Sequence, residues 1–222
     1  MPTIAIVGAG PGMGLSIAHT FGSRGFDVAL IARNKEKLDG LVARLSERNI
    51  TSAGFSADVM DRPALTGALE AAVERFGGID VLEYSPATRD IEIAGPLEVT
   101  PENLQSQVEY NLYGAVTAAN AVLPAMLAAR AGALLFTTGG GSVTPNPMFG
   151  NVNAAQAALR NWALNLNNVL TGKGVFAAHV AINVWIGASV PEGFPSAEPD
   201  AIAARYWDLY ERRDQAELVV TG

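Results

Sequence analysis

The stretch Gly8-Ala9-Gly10-Pro11-Gly12-Met13-Gly14 connects an apolar strand to an amphipathic helix. The preceding residues 3–7 are apolar and rich in β-branched side chains, which is typical of a buried strand, and residues 14–24 have apolar side chains at helical spacing. Glycine serves such a turn where φ is positive and where the backbone approaches a ligand closely. Because the helix start presents free N–H groups and a positive dipole end, the turn predicts a site for a dinucleotide pyrophosphate. A tight turn that binds nothing is the alternative.

Segments with strand-like and helix-like patterns alternate along the rest of the chain. Short apolar runs predict strands at residues 3–7, 28–32, 53–57, 80–84, 133–137, 176–185 and 217–220. Helical periodicity predicts helices at 14–24, 35–48, 63–76, 101–130, 153–170 and 199–213, with a kink near Pro124. Strands that alternate with crossover helices form parallel sheets covered on both faces. The predicted fold class is therefore α/β: a Rossmann-type doubly wound parallel sheet with helices on both faces, in a single domain over residues 1–222.

The composition fits a globular domain and argues against several classes of function. Of the 222 residues 49% are apolar and 17% charged, and the net charge is −7. Such an acidic chain lacks the basic face that binds nucleic acid, so no nucleic-acid partner is expected. The absence of cysteine and the presence of only two histidines exclude thiolate chemistry and make a metal site unexpected. The start has no signal-peptide pattern and the apolar runs are interrupted, which predicts a cytoplasmic protein without membrane contact.

The end of the second predicted strand indicates which dinucleotide is bound. A carboxylate there accepts the ribose 2′-hydroxyl in NAD-selective sites, whereas an arginine accommodates the 2′-phosphate of NADP. Here the strand ends Leu30-Ile31-Ala32-Arg33-Asn34, without an acid, and Arg33 offers a guanidinium fork for a phosphate. NADP(H) is therefore the predicted cofactor, and NAD(H) is less favoured. A solvated surface arginine beside Lys35 and Lys37 is the alternative interpretation.

Several short motifs along the chain belong together. They are Gly8-x3-Gly12-x-Gly14, Asp58-Val59 after the third strand, Asn111 in Tyr110-Asn111-Leu112-Tyr113-Gly114, Ala157-Ala158-Leu159, and Asn183-x3-Gly187. With this set the chain resembles the short-chain dehydrogenase/reductase family over essentially its whole length. The resemblance implies an oxidoreductase acting on a carbonyl or alcohol substrate of unknown identity. Together with Arg33, the implied cofactor-binding residues are Gly8, Gly12, Met13, Gly14, Asp58, Val59, Ser85, Pro86, Ala87, Asn111, Gln156 and Gly187.

The resemblance breaks at the family's catalytic residues. The Asn-Asn-Ala-Gly segment of the family corresponds to Tyr84-Ser85-Pro86-Ala87, its catalytic Tyr-x3-Lys to Val152 and Gln156, and its serine position to Gly139. The chain has no tyrosine between positions 113 and 206 and a single lysine after position 37, at 173, so a shifted alignment does not restore the pair. In the family the tyrosine protonates the alkoxide, the lysine lowers the tyrosine pKa and the serine stabilises the oxyanion. The usual mechanism should therefore be impaired.

Two functions of different classes remain open on these residues. The first is an NADP-dependent oxidoreductase with a rearranged proton donor, for which Asn111, Thr138 and Tyr84 are the catalytic candidates. The structural alternatives are a packing role for Tyr84 and a turn role for Thr138. The second function is a catalytically inert relative that binds NADP(H) as a sensor, scaffold or partner subunit. Loss of dinucleotide binding altogether, suggested by Pro11 and Pro86, is a third possibility.

Further segments carry separate expectations. The glycines 139–141 indicate a flexible turn rather than a second anion-binding nest. Residues 189–199 form either a lid or a plain connection and, with residues 142–151, would line the substrate pocket. By resemblance, the helices 101–130 and 153–170 would form a homodimer or homotetramer. The stripe Leu159, Trp162, Leu166 and Val169 on the second helix is also typical of a core.

Overall fold

The computed structural model describes residues 1–87, 90–187, 193 and 195–221, and parallel strands form its centre. The strands are β1 Thr3–Val7, β2 Asp27–Ala32, β3 Ser52–Ser56, β4 Val81–Tyr84, β5 Gly132–Gly139, β6 Val175–Ile182, β7 Trp185–Ile186, β8 Ser196–Ala197 and β9 Glu217–Val220. Within the described residues, seven of them form one parallel sheet in the order β3-β2-β1-β4-β5-β6-β9. The predicted strand 176–185 is wrong at its end, because β6 stops at Ile182 and β7 pairs instead with β8.

Helices connect successive strands of the large sheet. They are α1 Met13–Gly22, α2 Lys35–Ser46, α3 Arg62–Phe76, α4 Pro101–Val108, α5 Gly114–Ala129, α6 Gly150–Leu170 and α7 Pro199–Arg212. The predicted helix 101–130 comprises α4 and α5, joined by a π-helical turn at Glu109–Tyr113. Pro124 lies inside α5, so the helix continues past it. The remaining predicted helices agree with the structure within a few residues at their ends.

Apolar side chains cover both faces of the large sheet. In β1, Ala5 and Val7 pack in the cluster that α3, α5 and α6 complete, while Ile4 and Ile6 pack with α1, α2 and α7. Alternation of this kind places successive side chains on opposite faces. The doubly wound parallel α/β fold is therefore confirmed, with helices on both faces.

The order of the strands places a crevice at the carboxyl end of β1. The chain winds outward from β1 through β2 to β3, and then crosses to β4 and continues in the other direction. Open α/β sheets bind ligands outside the carboxyl ends of their strands, at the point where the order reverses. The glycine-rich turn after β1 lies at this point.

The helical segment Pro101–Ala129 is apolar over a length that could cross a membrane, judged by length and composition alone. The expectation that every apolar run is interrupted early does not hold for it. In the structure its second half, α5, packs on α3, β4 and β5. Ala115, Ala118 and Ala119 are fully buried in this contact, as in the core helix of a globular protein.

Candidate active site

The turn between β1 and α1 begins at Gly8, whose φ is +98°. Its N–H donates to the carbonyl oxygen of Ile31 at 2.9 Å, which joins the turn to β2. A Cβ placed on Gly8 would lie 2.4 Å from Pro86 Cα and 2.7 Å from the carbonyl carbon of Ser85. Both the positive φ and the close contact with the residues after β4 require glycine at this position.

The start of α1 faces open space beside this turn. Helix α1 begins at Met13 with Gly12 as its N-cap residue, and no side chain caps the helix. A Cβ on Gly12 would meet no atom within 4 Å, whereas a Cβ on Gly14 would lie 2.9 Å from Ala9 Cα. Gly14 thus allows the turn to pack on the helix, and Gly12 leaves room outside it. Uncapped N–H groups at a helix start with open space before them fit an anionic ligand group.

Arg33 follows β2 and carries its charge at an exposed position. Its Nη2 lies 2.8 Å from Oδ2 of Asp90, and the two side chains are 52% and 70% exposed. The hydrogen bond to Asp90 raises the pKa of Arg33 above its ordinary value, and the charge of Asp58 acts in the same direction. Ion pairs as exposed as this one contribute at most about 1 kcal/mol. An anionic ligand group can therefore compete with Asp90 for the guanidinium.

The residues after β3 and β4 form the rim of the same crevice. Asp58 accepts the N–H of Met60 at Oδ1 over 3.0 Å, and the neighbouring Val59 is buried. The N–H of Ser85 donates to the carbonyl oxygen of Val7 at 2.9 Å, so the chain leaving β4 stays beside the end of β1. The segment after β4 is therefore close to the glycine-rich turn, and Asp58 after β3 is near enough to Arg33 for its charge to act on the guanidinium.

A chain of amide groups leads from the π-helical turn to the end of β5. Asn111 is buried and donates from Nδ2 to the carbonyl oxygen of Gln107 at 2.9 Å and to its Oε1 at 3.1 Å. Gln156, on α6, donates from Nε2 to Oδ1 of Asn111 at 3.3 Å. Its Oε1 accepts the N–H of Gly139 at 3.0 Å. The two predicted site residues Asn111 and Gln156 are thus in direct contact.

A second polar chain starts at the end of β5 and leads away from the crevice. Thr138 Oγ1 lies 2.7 Å from Ser142 Oγ and 2.7 Å from His179 Nε2. Nδ1 of His179 lies 3.0 Å from Oε1 of Glu217, and Arg160 binds the two carboxylate oxygens of Glu217 through Nε and Nη2. Thr138, Ser142 and His179 are buried, whereas the Glu217 side chain is 26% exposed. A hydroxyl, an imidazole and a carboxylate are therefore linked in sequence, and the last of them reaches the surface.

The family model described as short chain dehydrogenase matches residues 2–185. The chain belongs to the short-chain dehydrogenase family.

Proteins similar to this chain in sequence or in structure have low sequence identity to it. The 3-oxoacyl-acyl-carrier-protein reductase FabG of Staphylococcus aureus is 26% identical over 178 residues, which cover 79% of this chain and 71% of the relative. An actinorhodin polyketide ketoreductase variant, solved with NADPH, covers 100% of this chain and 96% of its own at a TM-score of 0.90 and 23% identity. A 3-oxoacyl-acyl-carrier-protein reductase from Brucella melitensis, solved with bound NAD, covers 99% of this chain and 89% of its own at 0.85 and 19% identity.

Tyr84, one of the three expected catalytic candidates in this short-chain dehydrogenase, lies in the core. Its side chain is 1% exposed, and its hydroxyl donates to the carbonyl oxygen of Tyr110 at 2.6 Å. Burial raises the pKa of Tyr84 well above its ordinary value. A Cβ on Gly114 would lie 2.2 Å from the hydroxyl, so helix α5 packs directly on it. The phenol therefore packs in the core, and we propose a packing role for Tyr84.

Tyr84→Phe is accordingly expected to lower the free energy of unfolding by about 1–2 kcal/mol, because it removes one buried hydrogen bond. NADPH affinity and any turnover should match those of the wild type. Urea unfolding together with NADPH titration measures both effects. A variant with wild-type stability but without turnover would contradict this assignment and restore Tyr84 as a proton donor.

Val152 and Gln156 lie on the first two turns of α6. The N–H of Val152 donates to Oδ1 of Asn151 at 2.9 Å. Asn151 is fully buried and also accepts the N–H of Ala94 at 3.0 Å, which ties the start of α6 to the segment before α4. Gln156 faces Asn111 and the end of β5, whereas Val152 brings an apolar side chain to the helix start.

The glycines after β5 pack against polar side chains. A Cβ on Gly140 would lie 2.2 Å from Oδ1 of Asn183, and a Cβ on Gly141 would lie 2.0 Å from Oδ1 of Asn153. Gly140 also begins a short 3₁₀ turn that ends at Ser142. This close packing explains why both positions are glycine. It favours the predicted turn over a second anion-binding nest.

The segment 189–199, for which a lid and a plain connection are the two expectations, follows Gly187 closely in the chain. Gly187 has a φ of +87° and donates its N–H to the carbonyl oxygen of Ala197 at 3.0 Å. Residues 188–192 and 194, which include five of the eleven residues 189–199, lie outside the described residues. Of this segment, residues 196–197 form β8 and Pro199 begins α7.

Sequence reasoning missed three polar groups close to the site. His179 and Glu217 are register partners on β6 and β9, which brings their side chains to one face. Glu83 on β4 is fully buried, and its carboxylate accepts hydrogen bonds from Ser85 Oγ and Thr137 Oγ1, each at 2.8 Å. Burial raises the pKa of Glu83 to about 7. A charged residue inside an apolar strand pattern was the available signal for Glu83.

Proposed function

We propose that this short-chain dehydrogenase is an NADP(H)-dependent oxidoreductase that interconverts a carbonyl and an alcohol, with an active site altered at the family's tyrosine, lysine and serine positions. The turn from Gly8 to Gly14 carries the proposal, because its open, uncapped helix start fits a pyrophosphate. Structural relatives solved with NADPH and with NAD support a nicotinamide dinucleotide. The first supports the phosphorylated form that Arg33 favours.

The residues around the crevice fit such a cofactor. The turn would hold the pyrophosphate, and Arg33 the 2′-phosphate. By family resemblance Asp58 and Val59 would hold the adenine, Ser85, Pro86 and Ala87 would contact the cofactor from the end of β4, and Gln156 and Asn111 would bind the nicotinamide ribose, with Gly187 nearby. When bound, the reduced nicotinamide supplies the hydride. The chain's own residues would orient it and deliver a proton to the substrate oxygen.

Cofactor preference is proposed to depend on Arg33. Arg33→Ala is expected to weaken NADPH binding about 10- to 100-fold, because it removes a charge-assisted contact with the 2′-phosphate. NADH, which lacks this phosphate, should bind the variant nearly as it binds the wild type. Calorimetric titration of both cofactors measures the difference.

Two further variants serve as controls for this experiment. Lys173→Ala removes an exposed positive charge outside the crevice, and it should leave both affinities unchanged. Asp90→Asn removes the carboxylate that pairs with Arg33, and it should tighten NADPH binding by a few fold. Equal losses of NADPH and NADH affinity in Arg33→Ala would exclude the proposed role.

The residues at the usual catalytic positions limit the expected rate. Val152 has no proton to donate, and Gln156 can form hydrogen bonds but carries no charge that would lower a neighbouring pKa. General acid–base assistance contributes about 10²–10⁴ in rate. Turnover should therefore be slow unless another group in the site supplies the proton.

A catalytically inert NADP(H)-binding sensor, scaffold or partner subunit is the second candidate. The joint replacement of tyrosine, lysine and serine by Val152, Gln156 and Gly139 favours it. Absorbance of the reduced nicotinamide during incubation with a panel of carbonyl compounds, and of alcohols with NADP, separates the two. Turnover above background supports the oxidoreductase. Tight NADPH binding without turnover supports the inert protein, and absence of binding excludes both.

The proposal also covers the oligomeric state of the protein and its location in the cell. By family resemblance we infer a cytoplasmic homodimer or homotetramer built on the helical segment of α4 and α5 and on α6. Along the predicted stripe on α6, Leu159 is buried, Trp162 and Leu166 pack against the core, and Val169 is 62% exposed. Most of that stripe therefore serves the core, and the assembly rests on the resemblance.

A further inference from the structure

The two polar chains of the site meet at Gly139. Its N–H binds Gln156, and its carbonyl oxygen accepts the Ser142 hydroxyl at 2.9 Å. Ser142 lies in the turn after β5, at the edge of the sheet where the crevice opens. The second chain then continues from Ser142 through Thr138 to His179. The Ser142 hydroxyl, which shares Gly139 as a hydrogen-bond partner with the predicted ribose-binding residue Gln156, is therefore connected to an imidazole.

The partners of His179 fix which of its ring nitrogens carries the proton. Arg160 binds both oxygens of Glu217 and, by its hydrogen bonds, holds the pKa of that carboxyl below its ordinary value. An ionised Glu217 accepts a hydrogen bond, so Nδ1 of His179 donates to it. Nε2 is then left as the acceptor for the hydroxyl of Thr138. A hydroxyl, a base and a group that orients the base is the general arrangement for activating a hydroxyl.

We infer that Ser142, Thr138, His179 and Glu217 form a proton relay that replaces the missing tyrosine and lysine. Ser142 is the catalytic hydroxyl that faces the substrate oxygen, Thr138 and His179 carry the proton to it, and Glu217 positions the imidazole. The inference rests on the proposed oxidoreductase function. It names the proton donor that this function otherwise lacks.

The proton transfers in the relay balance for both reduction and oxidation. In reduction a hydride adds to the carbonyl carbon, and the resulting alkoxide takes the proton of Ser142. The Ser142 oxygen takes the proton of Thr138, and the Thr138 oxygen takes the Nε2 proton of a protonated His179. The products are an alcohol and a neutral imidazole with its proton on Nδ1, and Nε2 regains its proton between turnovers from water in the crevice, through Ser142 and Thr138. Oxidation of an alcohol reverses each transfer and ends with a protonated His179.

The groups around His179 determine the pH dependence. Burial lowers the pKa of His179 below its ordinary value of 6.5, Glu217 on β9 acts in the opposite direction, and Arg160 on α6 lowers it further. Reduction needs the protonated ring, so its kcat/KM should fall as pH rises through the pKa of His179. Oxidation needs the neutral ring, so its kcat/KM should rise through the same range and then level off.

The test measures kcat/KM across pH 5–9 with a substrate from the carbonyl panel. Ser142→Ala is expected to lower reduction about 10²-fold or more with NADPH affinity unchanged, and Ser142→Thr should recover part of the rate. His179→Gln should lower the rate and flatten the pH profile. His19→Gln is the matched control, because His19 is the chain's other histidine and lies on α1, and it should keep the wild-type profile.

A second readout does not depend on turnover. Nitrogen NMR of the two imidazoles should show neutral His179 protonated on Nδ1, and Glu217→Gln should change its tautomer balance. A neutral ring protonated on Nε2 in the wild type would overturn the relay. Wild-type turnover that Ser142→Ala and His179→Gln leave unchanged would overturn the relay alone. NADPH binding without any wild-type turnover would overturn the proposed function and the relay with it.

Discussion

Replacing Gly8 with alanine is expected to lower the free energy of unfolding by roughly 3–5 kcal/mol and to abolish NADPH binding in the fraction that still folds. A left-handed backbone costs a non-glycine residue about 1–2 kcal/mol. The remainder comes from the new Cβ, which would lie 2.4 Å from Pro86 Cα, where only backbone displacement gives relief. Urea unfolding and NADPH titration of the variant measure the two effects.

Alanine variants at two other glycines separate the backbone cost of a positive φ from the cost of the clash with Pro86. Gly25 has a φ of +89° but open space around it, so Gly25→Ala should show only the backbone cost of about 1–2 kcal/mol. Gly12 has a negative φ and open space at the helix start, so Gly12→Ala should keep most of its stability and still weaken NADPH binding, since its methyl group enters the proposed phosphate site. A Gly8→Ala variant no less stable than Gly25→Ala would show that Pro86 yields without cost.

The fold could be predicted because its signals are local. Apolar runs and helical periodicity involve residues that are close together in the chain, and the glycine-rich turn follows directly on β1. Where the prediction failed, the cause was a distant partner. The predicted strand 176–185 ends early because the N–H of Trp185 donates to the carbonyl oxygen of Pro195, in a segment whose strand pattern is too short to recognise.

The candidate site could be predicted only in part, for the same reason. Gln156 and Asn111 were named from a family pattern, and the structure brings them together. The contact of His179 with Glu217 joins residues 38 positions apart and depends on the register of β6 with β9. The pairing of Arg33 with Asp90 spans 57 positions. No local pattern encodes either contact.

Tyr84 shows where a simple rule was available. Side chains alternate between the faces of a strand, so Tyr84 shares its face with Leu82, which is fully buried. Tyr84 was a catalytic candidate because it lies at the carboxyl end of a strand, but the alternation places its ring under α5. A residue at the end of a strand is therefore predicted to lie near the ligand. Whether its side chain contacts the ligand depends on the face of the sheet to which that side chain points.

Glu83→Gln is expected to raise the free energy of unfolding at pH 8 by up to about 3 kcal/mol, although it lies beside the proposed site. Glu83 is fully buried between Ser85 and Thr137, and Thr137 Oγ1 also lies 2.7 Å from the Tyr206 hydroxyl. A glutamine can keep this network, since its Oε1 accepts from Thr137 and its Nε2 donates to Ser85. The variant thus removes the buried charge and retains the packing.

The variant is expected to be more stable at pH 8 because burial raises the pKa of Glu83 from 4.5 to about 7. Below pH 4.5 the folded and unfolded chains both hold the proton, so the carboxyl imposes no penalty there. Between pH 4.5 and about 7 the unfolded chain releases the proton first, and wild-type stability is lost as pH rises through this window.

Urea unfolding of both proteins should therefore give similar stabilities at low pH and a difference that grows until about pH 7 and then stays constant. Glu74→Gln, at an exposed position on α3, should follow the wild type throughout. A constant difference between Glu83→Gln and the wild type from pH 4.5 to 8 would show that Glu83 titrates alike in the folded and unfolded chains.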